Sequence, residues 1–563
     1  MKSLPDLLLV PRPRVIRPAA GTCAPDAPVR TATETDRPEQ GYALRIAPEG
    51  ITVEARDEAG FFYARQTLDQ LRRQAGGPLP CGEIEDHPDF AHRGVMLDIS
   101  RDRVPTMARL YALVDQLAAL KLNHLELYTE HTFAYANHRE VWAQASPMTA
   151  AEIRELDAYC RARHVELVPN QNSFGHLQRW LKHPRYRDLA ECPDGHEAWG
   201  AWRAYPFSLN PLDPRSLALL DELYAELLPN FTSRRFNVGC DETVDLGQGR
   251  SKEACATRGK GRIYLDFLQQ VHARVTQHGR TMHFWGDIIL HHPELIPELP
   301  RDAVALVWGY EANHPFESEC AAFAQSGLEF WVCPGTSTWN SVAGRTENMR
   351  ENIARAARQG LQHGARGILV TDWGDNGHWQ PPVASWPGFV WGAALAWCGS
   401  SNRDLPLARA LDEHILHDPS GRTGAALLAL GDVYRLVGPP LHNASMVFRA
   451  LHLDDPRSAL AQTEAAQWQA VDKALREAQA QLAAARPADP RLQSALDGAI
   501  QLLRAGVARA GWLMRNDEQA RHALRAILDP LVPAYTQTWL ADSRPGGLSD
   551  SMSVLEKRLR EAL

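Results

Sequence analysis

From Arg93 to about Gly399, short apolar runs alternate with longer stretches whose apolar residues recur every three to four positions, the pattern of buried strands each followed by a helix. The runs fall at residues 93–100 (RGVMLDIS), 124–130 (HLELYTE), 165–171, 236–240 (FNVGC), 282–287, 303–309, 328–334 and 367–373. Eight such units predict an α/β fold, a closed (β/α)8 TIM barrel. Residues at the expected helix ends agree. Pro105 opens the first helix, Thr149 and Glu152 form an S/T-x-x-E capping box, and Gly279 and Gly364 stand where a left-handed residue ends a helix.

The flanks read differently. Residues 42–55 alternate with a period of two, and residues 61–74 form an amphipathic helix ended by Gly76 and Gly77. A small N-terminal α/β domain over 1–88 is therefore expected ahead of the barrel at 89–400. Beyond Gly399 the strand pattern disappears and Ala, Leu, Gln and Arg at helical spacing dominate, as in 463–485 and 490–514, so residues 401–563 are expected to be all helical. These helices either pack on the barrel or form a homodimer contact.

Active sites of such barrels lie at the C-terminal ends of the strands. Polar and aromatic residues stand there at strand after strand: Arg101, Glu130, His176, Asp241 and Glu242, Trp285 and Asp287, Trp308, Trp339 and Asn340, Trp373 and Asp375. The dipeptide Asp-Glu alone carries little weight, because it occurs at 57, 221, 241, 412 and 517. Four of the five read as solvated charges. Asp241 and Glu242 directly follow a buried-strand pattern, where two carboxylates are costly without a role.

Thirteen of the 16 tryptophans lie between 142 and 397, several at strand ends, although Trp331, inside its strand, reads as core. Carboxylates beside aromatic walls suit glycoside hydrolysis, in which one carboxyl protonates the leaving oxygen and negative charge stabilises a positive transition state. Arg101 and Asp375 would then bond sugar hydroxyls, unless Arg101 pairs a structural acid such as Asp98 or Asp102.

Composition narrows the alternatives. The formal charge is −8, from 60 basic and 68 acidic residues, and no Lys/Arg block marks a nucleic-acid surface. Nine widely spaced cysteines without a CxxC pair fit reduced thiols, hence the cytoplasm. The start MKSLPDLLLVPRPRV has too short an apolar run for a signal-peptide core or a membrane span. HExxH, GxSxG, Walker and GxGxxG motifs are missing, so neither a metal nor a cofactor is expected.

With these residues in view, the chain resembles glycoside hydrolase family 20, the β-N-acetylhexosaminidases. The matching stretches are HRGVMLDISRDRVP (92–105), KLNHLELYTEHTF (121–133), Gly175-His176, FNVGCDET (236–243) and WGD (373–375). DETVDLGQGR (241–250) and the helical C-terminus look most like the intracellular hexosaminidase D branch.

The resemblance implies release of terminal N-acetylglucosamine or N-acetylgalactosamine by a retaining, substrate-assisted mechanism, in which the acetamido oxygen of the substrate attacks its own anomeric carbon. Glu242 would be the general acid and then the base, Asp241 would hold the acetamido N–H, and His176 with Glu130 would orient Glu242. Arg101 and Asp375 would bind ring hydroxyls, Trp373 would form the platform, and Trp285 and Trp308 would wall the acetamido pocket. The paired acids that the family carries after the second strand stand here as Thr129 and Glu130, and the tyrosine expected after the seventh strand has no counterpart, leaving Trp339 and Asn340 as candidates there. A conventional glycosidase with Asp287 or Asp375 as nucleophile is one rival, and a catalytically silent sugar-binding barrel is another.

Overall fold

The computed structural model describes residues 3–563. Its N-terminal sheet contains β1 (Val15–Cys23), β2 (Val29–Thr33), β3 (Tyr42–Ala47), β4 (Gly50–Ala55) and β5 (Leu79–Asp86), in the order β1-β5-β3-β4-β2. The helix Glu58–Ala75 packs on it, starting where the Asp57 side chain accepts from Gly60 N and ending at Gly76 with φ +61°. Leu4, Leu7 and Leu9, from the N-terminal apolar run, are buried in the core beneath this sheet.

The eight expected strands all form. They are β6 (His92–Asp98), β7 (His124–Tyr128), β8 (Glu166–Val168), β11 (Arg235–Asn237), β12 (Thr281–Trp285), β13 (Val304–Trp308), β14 (Glu329–Cys333) and β15 (Gly367–Asp372). Between β8 and β11 the chain inserts a hairpin, β9 (His196–Ala198) and β10 (Ala201–Arg203). The barrel strands pair in parallel in the order β11-β12-β13-β14-β15-β6-β7-β8. Just beyond β8, Asn237 N donates to Pro169 O and Gln171 N to Asn237 O, both at 3.0 Å, which brings β8 back to β11 and closes the ring.

Thr149 and Glu152 form the expected capping box, and Gly364 ends its helix with φ +82°. Two local readings change. The first barrel helix, Met107–Ala119, is capped by Thr106, and Pro105 lies outside it, bridged to Ser543. Asp412, expected to be a solvated charge, is buried and accepts from Gly424 N at 2.7 Å; burial pushes its carboxyl up to about 6.

After residue 402 only helices follow, among the described residues, including Ala465–Ala483, Pro490–Arg515, Glu518–Asp542 and Leu548–Ala562. They pack on the barrel, and one hydrophobic core runs from barrel residues such as Leu113 through Trp379 to Trp539. The connection near residue 544 is polar as well: Arg544 N donates to Val104 O at 2.8 Å, and its guanidinium meets Glu152 at 2.8 Å. No helix among the described residues is long and apolar enough to cross a membrane.

Candidate active site

The first and last barrel strands together build a cationic grip. Asp98, the last residue of β6, accepts from Ser100 N at 2.9 Å, Arg101 N at 3.0 Å and Gly374 N at 3.0 Å, so one buried carboxylate ties two strand-end loops together. It also holds the Arg101 guanidinium at 3.2 Å. That guanidinium lies over the rings of Tyr128 and Trp373, at 4.8 and 5.0 Å, and faces Glu130 at 3.4 Å and Asp375 at 3.7 Å. Pairing with Asp98 is thus added to the contact with Asp375, while Asp102 goes to Arg179 at 3.0 Å. Burial pushes the Asp375 carboxyl up to about 6 against the pull of Arg101.

Glu130, 1% exposed, accepts from Tyr128 OH at 3.0 Å. Its neighbour Thr129 turns its hydroxyl to Leu127 O at 2.9 Å, so of the two only Glu130 carries its acid towards Arg101 and His176. His176, in the left-handed region at φ +58°, is the hinge between this grip and the carboxylate pair. Its Nδ1 lies 3.3 Å from Arg101 Nη2 and 3.8 Å from Glu130, while its Nε2 stands 3.3 Å from Asp241 Oδ2 and 3.4 Å from Glu242 Oε2. Burial, the largest single influence, opposes its charge, but the two carboxylates together outweigh it and push the imidazole up to about 10.

Strand β11 delivers the pair through a contorted turn: Cys240 and Glu242 have φ +68° and +46°, conformations that side-chain-bearing residues adopt at a cost. Asp287 Oδ2 accepts from Glu242 N at 3.1 Å, and Tyr264 OH donates to Cys240 O at 2.9 Å, which fixes the turn. Burial first, and the Asp241 charge second, raise the Asp287 carboxyl well above the usual carboxylate range. Asp241 is buried with Oδ1 unbonded to protein, whereas the Glu242 side chain is a third exposed. A cavity of about 550 Å³ opens beside Glu242, lined by Val244, Ile288, His291 and Trp308.

The aromatic wall comes from strand ends. Trp285 and Trp373 lie 6.2 Å apart, Tyr128 meets Trp373 edge-on at 4.7 Å, and Trp308 stacks on Tyr310 at 5.2 Å. Trp339 is buried against Tyr310 at 5.1 Å. Trp285 and Trp339 leave their indole N–H groups without a protein acceptor, a costly arrangement that a polar ligand would relieve. Trp331 is core, as expected.

Asn340 does not join this wall through its amide, which accepts from Asn376 at 2.9 Å and donates to Asn443 O at 3.2 Å, tying the strand-seven loop to its neighbours. Tyr128 and Tyr310 were not singled out from the sequence, and Asp98 only as a structural partner for Arg101. For Tyr128 the signal was present: in HLELY every second residue, His124, Glu126 and Tyr128, takes one side of the strand. Ligand atoms of His176, Asp241 and Glu242 lie within 4.8 Å of one another, a spacing that a metal ion could use. With the imidazole held as a cation, the two carboxylates already have a counter-charge.

Comparison with known proteins identifies the family. A family model described as "Glycosyl hydrolase family 20, catalytic domain" matches residues 90–388, more than half of the chain, and "Glycosyl hydrolase family 20, domain 2" matches residues 9–87. A beta-hexosaminidase of Akkermansia muciniphila is 28% identical over 292 residues, covering 46% of this chain and 57% of that protein. Hexosaminidase D of Bos taurus is 24% identical over 303 residues, covering 50% of this chain and 84% of that protein. Among solved structures, a Flavobacterium johnsoniae chitobiase superposes with a TM-score of 0.60 at 16% identity, covering 99% of both chains, so the likeness in fold extends to the helical end. From the strand order, the carboxylate pair on the fourth barrel strand and the match over residues 90–388, the chain belongs to glycosyl hydrolase family 20.

Proposed function

We propose that the protein is an exo-β-N-acetylhexosaminidase that removes terminal, non-reducing N-acetylglucosamine or N-acetylgalactosamine from β-glycosides with retention of configuration. The observation that carries the reading is His176 set between Asp241 and Glu242, with Arg101 fixed on its other side. Glu242 donates its proton to the glycosidic oxygen as the acetamido oxygen of the substrate closes on the anomeric carbon and the leaving-group bond breaks. Asp241 accepts a hydrogen bond from the acetamido N–H and balances the positive charge of the cyclic oxazolinium. Water then attacks the anomeric carbon, the bond from that carbon to the acetamido oxygen breaks to restore the acetamide, and the water proton passes to Glu242, which is again the acid.

Arg101 and Asp375 grip hydroxyls of the terminal sugar, Trp373 carries its face, and Trp285 and Trp308 wall the acetamido group. The rival with an enzyme nucleophile is disfavoured by the prior engagements of its candidates: Asp287 holds Glu242 N, and Asp375 faces Arg101. Nine free, buried cysteines suit a reducing compartment, the cytoplasm.

Release of p-nitrophenol from the β-N-acetylglucosaminide and β-N-acetylgalactosaminide, blocked by a thiazoline mimic of the oxazolinium, tests the reading. Sugar binding without release from either would move the protein to the silent sugar-binding class.

A further inference from the structure

Among the described residues two tryptophans are exposed, Trp199 at 53% and Trp202 at 58%, and both belong to the hairpin β9–β10. The hairpin lies in the long connection after the third barrel strand, on the face that carries the candidate site. Its two-residue turn, Trp199-Gly200, has φ +50° and +74°, the doubly positive backbone of a type I′ turn, where asparagine or glycine is the usual first residue. A bulky side chain there costs both strain and exposed apolar surface. Gly195, with φ +125°, lets the Trp202 ring lie against its backbone, since an added Cβ would sit 2.7 Å from that indole.

The hairpin is coupled to the catalytic turn. Glu197 and Gln248 exchange two hydrogen bonds of 2.9 Å, and Gln248 belongs to the segment that follows Asp241 and Glu242. Trp199 packs edge-on against Phe207 at 5.8 Å, and Phe207 packs against His176 at 4.8 Å, so one ring separates the exposed indole from the site. The Arg203 guanidinium lies 5.5 Å from the Trp199 ring centroid, a cation–π contact that restrains the indole.

We infer that Trp199 and Trp202 form a stacking platform for sugar units beyond the one cleaved, so that this site takes oligosaccharide chains rather than a terminal sugar on a compact aglycone. A pyranose has an apolar C–H face that covers an indole while its edge hydroxyls stay in water, which suits two half-exposed tryptophans on one hairpin, the first of them a single ring away from His176. The inference rests on the function proposed above in taking Glu242 as the group beside the leaving group.

The test compares wild type with Trp199→Ala, Trp202→Ala and the aromatic replacement Trp199→Phe on two substrates, p-nitrophenyl β-N-acetylglucosaminide and the β-1,4-linked N-acetylglucosamine tetramer. The expected result is a rise of about tenfold in the tetramer KM relative to the aryl glycoside KM for each alanine variant, largely reversed by Trp199→Phe. In parallel, calorimetric titration of the tetramer into Glu242→Gln, with and without Trp199→Ala, reads the platform without turnover and should show about tenfold weaker binding.

Unchanged KM ratios with equal tetramer affinities would overturn the platform, as would unchanged ratios with a loss of self-association in sedimentation, which would make the hairpin a contact between copies. A wild type that cleaves neither substrate would sink the catalytic reading, while the titration still decides the platform.

Discussion

On one side of the pocket Arg101 is held by Asp98 at 3.2 Å, Glu130 at 3.4 Å and Asp375 at 3.7 Å, between two aromatic rings. On the other, Glu242 is a third exposed, and its carboxylate meets His176 at 3.4 Å without a well-aligned hydrogen bond. The first side is also braced from outside. Trp379 Nε1 donates to Ser551 O at 3.0 Å, Ser551 Oγ donates to Gly377 O, and Gly547 packs against the Asp102 backbone, so the C-terminal helices hold both loops that carry Arg101 and Asp375. The Glu242 side has instead a hairpin with two exposed tryptophans. A group that grips hydroxyls gains from being fixed before substrate arrives, whereas a group that is first acid and then base needs room to meet two different oxygens.

The largest effect should come from the proton-moving side. Glu242→Gln is expected to lower kcat on poor leaving groups by on the order of 10²- to 10⁴-fold, and far less on activated aryl leaving groups, in steady-state assays of both. An equal loss on both would remove Glu242 as the acid. Next, Arg101→Met strips three acids of their cation. We expect kcat/KM to fall by on the order of 10²- to 10³-fold, expressed mainly in KM, with about 3–5 kcal/mol lost from stability in urea unfolding. A loss confined to kcat would contradict the division between gripping and proton transfer.

Gly547→Ala attacks the outer brace alone. Its φ of +77° and its contact with Asp102 leave no room for a Cβ, so about 1–3 kcal/mol of stability should be lost, read from the urea midpoint. An unchanged midpoint would mean that the brace is not closed in solution.

The imidazole adds a pH dependence. His176 is pushed from 6.5 up to about 10 in the folded chain, so its contribution to stability is fully present below pH 6.5 and is lost as pH rises through about 10. The difference in unfolding free energy between wild type and His176→Gln should therefore shrink across that range. A constant difference would deny that the imidazolium is the form held between the carboxylates.

Much of the gripping side was legible, because each of its residues sits within a few positions of a strand whose apolar pattern fixes where it ends: Arg101 after β6, Glu130 after β7, Asp375 after β15. Asp98 was named only as a rival partner for Arg101, since sequence cannot tell a carboxylate that neutralises one cation from one that also knits two loops. Asn340 occupies the expected loop after β14, but its amide direction depends on Asn376 and Asn443, the latter a hundred residues further on. The hairpin escaped notice for a different reason. Strands of three residues are too short to show alternation, and the positive φ of Trp199 is visible only in the folded backbone.

In the mechanism proposed above the substrate supplies its own nucleophile. This is tested most directly by measuring kcat/KM on a matched pair of aryl β-glycosides, one bearing the 2-acetamido group and the other a 2-hydroxyl with the same leaving group. Turnover of the acetamido glycoside and only residual turnover of its partner are expected, with Asp241→Asn depressing the first. Comparable rates on the two would contradict that mechanism and return the nucleophile to the protein.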